Sequence, residues 1–164
     1  MKITLRKTLD SDTKPRLLTL LNLIANNEIR THLLYSELIK HHACHVGRDQ
    51  HLLSCFHTAL TEDKDHYQCI EHCIELIQGP KAPTKTRNKH YPSTQLKSSF
   101  SKLLKSLYLS EASSVQAYSE ICTMTLEKDY RLFDLAYRNM HENIVHLDAV
   151  EEALNTHCQH PLTH

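Results

Sequence analysis

The residues best suited to chemistry are carboxylates and imidazoles that fall on otherwise apolar stripes. Glu28 interrupts the series Leu17, Leu21, Ile24, Thr31, Tyr35 and Leu38. Asp63 and His66 interrupt Leu52, Phe56, Leu60, Ile70, Ile74 and Ile77. Ser110 or Glu111 falls among Phe100, Leu103, Leu107, Ala117 and Ile121. Glu142 or Asn143, with His146, falls among Leu132, Leu135, Ala149 and Ala153. An unpaired carboxylate is costly in an apolar core. A divalent cation neutralises clustered carboxylates and gives them a reason to face inward. Carboxylate oxygen together with imidazole nitrogen suits iron, manganese or zinc. The competing reading is a polar network bonded only to itself.

Steps of three and four residues are the period of one helix face, so the elements that position these groups are helices. The chain has 164 residues with only two glycines and five prolines, at 15, 47, 79, 80, 83, 92 and 161. A sandwich or barrel needs turn residues every 8–12 positions, and a doubly wound sheet needs glycines at its strand–helix turns. Neither series exists. The pattern predicts one all-α domain over 1–164, with helices at about 14–42, 49–78, 94–123 and 128–155. Pro15 lies in the first turn of the first helix, Gly47 in the first connection, and Gly79-Pro80 ends the second helix. Residues 79–94 form a link far longer than bundle neighbours need, which implies a crossover between two helices running the same way. The turn near 123–129 has no glycine or proline. No internal repeat is evident.

Nineteen basic residues balance nineteen acidic ones, which argues against a basic nucleic-acid surface. No window approaches 18 apolar residues, and residues 1–16 lack a signal-peptide core. Six cysteines without a paired framework suit reduced thiols and a cytoplasmic chain. Most of the fourteen histidines read as a solvated face. HHACH at 41–45 and HCQH at 157–160 offer soft or borderline ligands without zinc-finger spacing.

Three stretches then carry a resemblance. Asn27-Glu28-Ile29 is followed by Tyr35; Asp63-x-x-His66 is followed by IEHCIELIQGPKAP; and Asp129-Tyr130 precedes HLDAVEEAL, which begins at His146. In these features the chain resembles the ferritin-like superfamily, bacterioferritin in particular. The resemblance implies a four-helix bundle with one long crossover between helices two and three. It also implies a di-iron centre that converts Fe(II) to Fe(III) with oxygen, for storage in a hollow shell. Glu28, Asp63, His66 and His146 fall on ligand places, Asp63 being a shorter carboxylate than the usual glutamate. Ser110 stands where the family has glutamate, with Glu111 one residue away. Asn143 stands where the bridging glutamate of helix four belongs, with Glu142 one residue away. Glu111 and Glu142 would reach the site only through a local bulge, and are otherwise partly exposed. Tyr35 reads as a core tyrosine or a redox participant.

The implied cofactor is iron, as one or two ions, with zinc or manganese able to substitute. Lys64 replaces the haem-ligating methionine, so no haem is expected by that route. The short tail leaves no room for a fifth helix, so a homodimer is expected and a larger shell is doubtful. If the chain is an enzyme, it is a ferroxidase. The alternative is a non-enzymatic bundle that buffers copper, zinc or nickel through His and Cys, or that serves as a partner subunit.

Overall fold

The computed structural model describes residues 12–43, 50–79 and 99–159, and the side chains of 42, 43 and 157–159 are outside that description. Four helices make up the fold: α1 Thr13–Ala43, α2 Gln50–Gln78, α3 Phe100–Thr125 and α4 Tyr130–Gln159. The expected all-α four-helix bundle is the observed fold, and the described residues contain no strand. The largest boundary difference is at α3. Ser99 is extended (φ −64, ψ 151) and the helix begins at Phe100, later than the expected 94. Most of the 79–94 link lies outside the described residues, as do Gly47, the HHACH side chains after His41 and the HCQH side chains.

The ends of the helices explain where the chain turns. Gly79 takes φ 81 and its N–H bonds the Glu75 carbonyl at 2.9 Å, the left-handed stop that glycine adopts without a Cβ clash. The α3–α4 turn manages without glycine. Glu127 itself adopts φ 63. Asp129 then caps α4, its Oδ1 accepting the N–H groups of Arg131 and Leu132 at 3.2 Å each.

α1 packs on α2 and α3, and α4 packs on the same two helices. The ends that meet give the directions. Arg16 near the start of α1 pairs with Glu120 near the end of α3. Leu17, Leu21 and Ile24 share a core with Tyr67 and Ile70 late in α2. Both α2 and α3 therefore run opposite to α1, and so parallel to each other. They are also diagonal, which makes the segment joining Gly79 to Ser99 the expected crossover.

Two apolar clusters fill the bundle. One contains Leu17, Leu20, Leu21, Ile24, Ile70, Ile121 and Leu132. The other contains Leu34, Leu38, Phe56, Leu103, Leu104, Leu107 and Val150. Each fully buried Leu or Ile contributes about 1.5–3 kcal/mol. Together they hold in place the polar layer that lies between them at mid-length.

Candidate metal centre

Each helix brings polar side chains to that layer, and all the inner ones are buried. α1 supplies Glu28 and Tyr35, and α3 supplies Glu111 and Tyr118. In both helices the two residues are seven apart, two turns along one face. α2 supplies Glu62, Asp63 and His66, and α4 supplies Glu142, Asn143 and His146.

The contacts repeat about a two-fold relation that exchanges α1 with α3 and α2 with α4. Tyr35 Oη donates to Glu111 Oε1 at 2.8 Å, and Tyr118 Oη donates to Glu28 Oε1 at 3.3 Å. His66 Nδ1 lies 3.6 Å from Glu28 Oε2, and His146 Nδ1 lies 3.7 Å from Glu111 Oε1. His66 Nε2 is 2.6 Å from Glu142, and His146 Nε2 is 2.7 Å from Glu62. The two rings are 6.3 Å apart, with planes 28° from parallel. A repeat is thus present in the site residues, although none is evident along the sequence as a whole. Two inner pairs are unlike, Asp63 with Asn143 and Ala59 with Asn139. Asp63 Oδ1 lies 3.7 Å from His146 Nδ1, whereas Asn143 Nδ2 donates to Glu28 Oε1 at 3.4 Å.

This layer leaves its hydrogen-bonding capacity unused. Among the described residues, nine buried side-chain N or O atoms lack a hydrogen-bond partner. Seven of them belong here: Glu28 Oε2, both Asp63 oxygens, His66 Nδ1, Glu111 Oε2, Asn143 Oδ1 and His146 Nδ1. Buried polar atoms are normally paired, so this concentration needs a reason. One atom from each of Glu28, Asp63 and His66 lies within 4.8 Å of the others, and the same holds for Asp63, Glu111 and His146. Asp63 belongs to both groups and has an oxygen for each. The carboxylates Glu142 and Glu62 can accept from the outer nitrogens of the rings. In a neutral ring that arrangement would leave the Nδ1 lone pair toward the pocket.

Burial and neighbouring charge shift the titration of the layer. Burial, then the charges of Glu111 and Glu28, push the Asp63 carboxyl well above the usual range. Burial raises Glu111 too, against the opposing pull of His146. Burial alone would lower His66, but bonding to Glu28 and then Glu142 outweighs it and raises the ring to about 9. His146 is raised likewise, Glu111 and Glu62 overcoming burial. Burial, then Glu111 and Asp63, holds Tyr35 well above the ordinary tyrosine value.

The six residues singled out from sequence are placed as follows. Glu28, Asp63, His66, Glu111 and His146 come together. Glu111 needs no bulge: α3 is an uninterrupted α-helix and Glu111 is 0 % exposed. The expectation that it would sit partly exposed does not hold. α3 packs on both α1 and α4, so its inner stripe is two positions wide at this level, with Ser110 and Glu111 both buried. Glu142 stays half-exposed on the outer side of His66, and Asn143 occupies the inner position. Tyr35 is wholly buried against Glu111. Glu62, Tyr118 and Asn139, which donates to Tyr118 Oη at 3.1 Å, were not singled out as site residues, although Tyr118 and Asn139 fall on the inner stripes of their helices. The repeated Glu-Asp/Asn-x-x-His and Glu-x6-Tyr patterns are the signal that would have found the first two.

No family model matches the chain. The DNA protection during starvation protein of Pyrococcus furiosus is 28 % identical over 147 residues, covering 85 % of this chain and 77 % of its own. Among solved structures, a dodecameric thioferritin, the bacterioferritin-related protein from Bacteroides fragilis, superposes with a TM-score of 0.67 at 22 % identity. The match covers 95 % of this chain and 92 % of that one. The expectation of a homodimer with a larger shell doubtful is corrected by this neighbour. A chain matched over nearly its whole length assembles as a dodecamer, so an argument from a short tail does not limit assembly size.

Proposed function

We propose that this chain, a ferritin-like four-helix bundle, takes up Fe(II) in its mid-bundle layer and oxidises it with dioxygen or sequesters it. Iron is the substrate in this reading. Glu28, Asp63, His66, Glu111 and His146 supply the donor atoms. Glu62 and Glu142 orient the imidazoles from outside. Tyr35 and Tyr118 each bond one oxygen of a glutamate and leave the other without a hydrogen bond. The supporting observation is the cluster of seven buried atoms without a hydrogen bond, six of them carboxylate oxygens and imidazole nitrogens, a donor set that suits iron, zinc or manganese.

The test is anaerobic loading with Fe(II) followed by oxygen. Near-ultraviolet ferric absorbance should grow in the wild type and be lost in Asp63→Ala/His66→Ala. Equally fast oxidation by the double variant would show that the layer is not the site.

A second reading keeps the bundle and replaces iron with copper, zinc or nickel, held without turnover. Its support is surface chemistry such as Cys55 Sγ, 3.9 Å from His51 Nε2 on α2. Elemental analysis of untagged protein separates the two: stoichiometric copper or zinc without iron favours the second.

We also propose assembly beyond a dimer, into a closed shell of twelve copies. Light scattering should then report twelve times the 19.0 kDa chain mass, and a two-chain mass would refute it. No described helix is long and apolar enough to cross a membrane. Free thiols at Cys55, Cys69, Cys73 and Cys122 suit the reducing cytoplasm in which we place the protein.

A further inference from the structure

Among the groups that offer atoms to the ligand pocket, the two-fold repeat breaks where α2 has Asp63 and α4 has Asn143; a second break, Ala59 against Asn139, lies behind Tyr118. We propose that the layer takes two divalent cations with unequal affinity, and that Asn143 sets the difference. The first ion goes to Asp63, Glu111 and His146. The second, at Glu28, Asp63 and His66, binds much more weakly. This inference rests on the cation-binding reading above.

Two observations carry it. The first is charge. The inner carboxylates are Glu28, Asp63 and Glu111, all at most 1 % exposed. One divalent ion leaves that set with a single net negative charge. A second ion leaves a net positive charge in a buried layer, where uncompensated charge is expensive. A carboxylate at 143 would bring the pair to neutrality. The outer glutamates do not substitute for it. Glu62 and Glu142 remain 34 % and 45 % exposed, bonded to the far nitrogens of the rings.

The second observation decides which position fills first. Glu28 Oε1 already accepts from both Tyr118 and Asn143, at 3.3 and 3.4 Å. Its counterpart Glu111 Oε1 accepts from Tyr35. The Asn143 amide thus directs the positive end of its dipole at the Glu28 carboxylate, which draws on the charge a cation there would use. It also leaves its own Oδ1 buried without a hydrogen-bond partner. That neutral oxygen is a weaker cation ligand than a carboxylate.

Anaerobic titration with Co(II), followed by d–d absorption and by native mass spectrometry, tests this. Wild-type protein should take one ion tightly and a second at least tenfold more weakly. His146→Ala should lose the tight ion, and His66→Ala should keep it. Asn143→Asp should tighten the second ion at least tenfold and bring the two affinities together. The wild-type titration stands alone if the extra buried charge prevents Asn143→Asp from folding: two ions of equal affinity overturn the proposal. So does an Asn143→Asp protein that folds and keeps the wild-type ratio. Absence of any Co(II) binding that Asp63→Ala abolishes overturns the underlying site reading as well, so the two failures are distinguishable.

Discussion

Asp63→Asn is expected to abolish tight cation binding while raising the melting temperature of the metal-free protein. Asp63 is 0 % exposed and neither of its oxygens has a hydrogen bond, its nearest cationic group being His146 Nδ1 at 3.7 Å. Without a cation it must keep a proton or bury a charge beside Glu28 and Glu111. An amide carries no charge and can donate an N–H to either glutamate, as Asn143 does to Glu28. Removing a buried unpaired group of this kind is worth about 1–3 kcal/mol, and each kcal/mol is roughly 2–4 °C for a chain of this size. Binding moves the other way, because Asp63 belongs to both ligand groups. The loss of affinity should exceed the roughly 10–100-fold typical of removing an outer-shell partner. Melting curves with and without Zn(II), with calorimetric titration, read both effects. A variant that melts lower when metal-free and binds normally would make Asp63 a structural residue.

The second large effect is an inverted pH dependence. Asp63, Glu111, His66 and His146 all hold their protons more tightly in the fold than in the unfolded chain. For the two histidines the stabilisation is full below the unfolded pKa and is lost as pH rises through the folded value; for Asp63 and Glu111 the cost of a buried charge grows over the corresponding range. For His66 that window runs from 6.5 to about 9. The folded state binds more protons than the unfolded state, so stability falls with rising pH. Metal-free protein should therefore melt progressively lower across that window. A divalent cation displaces the same protons, so its affinity rises with pH. At a free concentration 100 times Kd it adds about 2.7 kcal/mol, or roughly 5–10 °C. Chelated protein whose melting point is flat or rises from pH 6.5 to 9 would contradict this.

Much of the architecture was legible because so few residues can turn this chain. Gly79 stops α2 where a breaker predicted it, and the long link implied the parallel α2–α3 pair. The α3–α4 turn was harder to place, since Glu127 adopts the left-handed conformation without being glycine. The start of α3 was placed too early because no glycine or proline follows Pro92 before the helix, whereas the extended residue before the helix is Ser99. In the site, Glu28, Asp63, His66 and His146 interrupt single-file apolar stripes, which makes them visible. Glu111 was obscured because α3 buries two adjacent positions there: the stripe left Ser110 and Glu111 open, and the family resemblance put Ser110 in the ligand place. Glu62 was missed because it faces outward and reaches across to the His146 ring of α4. Assembly size depends on surfaces between copies, which helix periodicity does not encode.

The central claim is that the unpartnered atoms of the mid-bundle layer exist to bind cations. Anomalous diffraction at the iron edge, from crystals loaded with Fe(II) without oxygen, tests this most directly. The predicted result is an iron peak bounded by Asp63, Glu111 and His146, with a weaker one toward Glu28 and His66. Iron found only at surface histidines and cysteines, with the layer empty, would contradict the account.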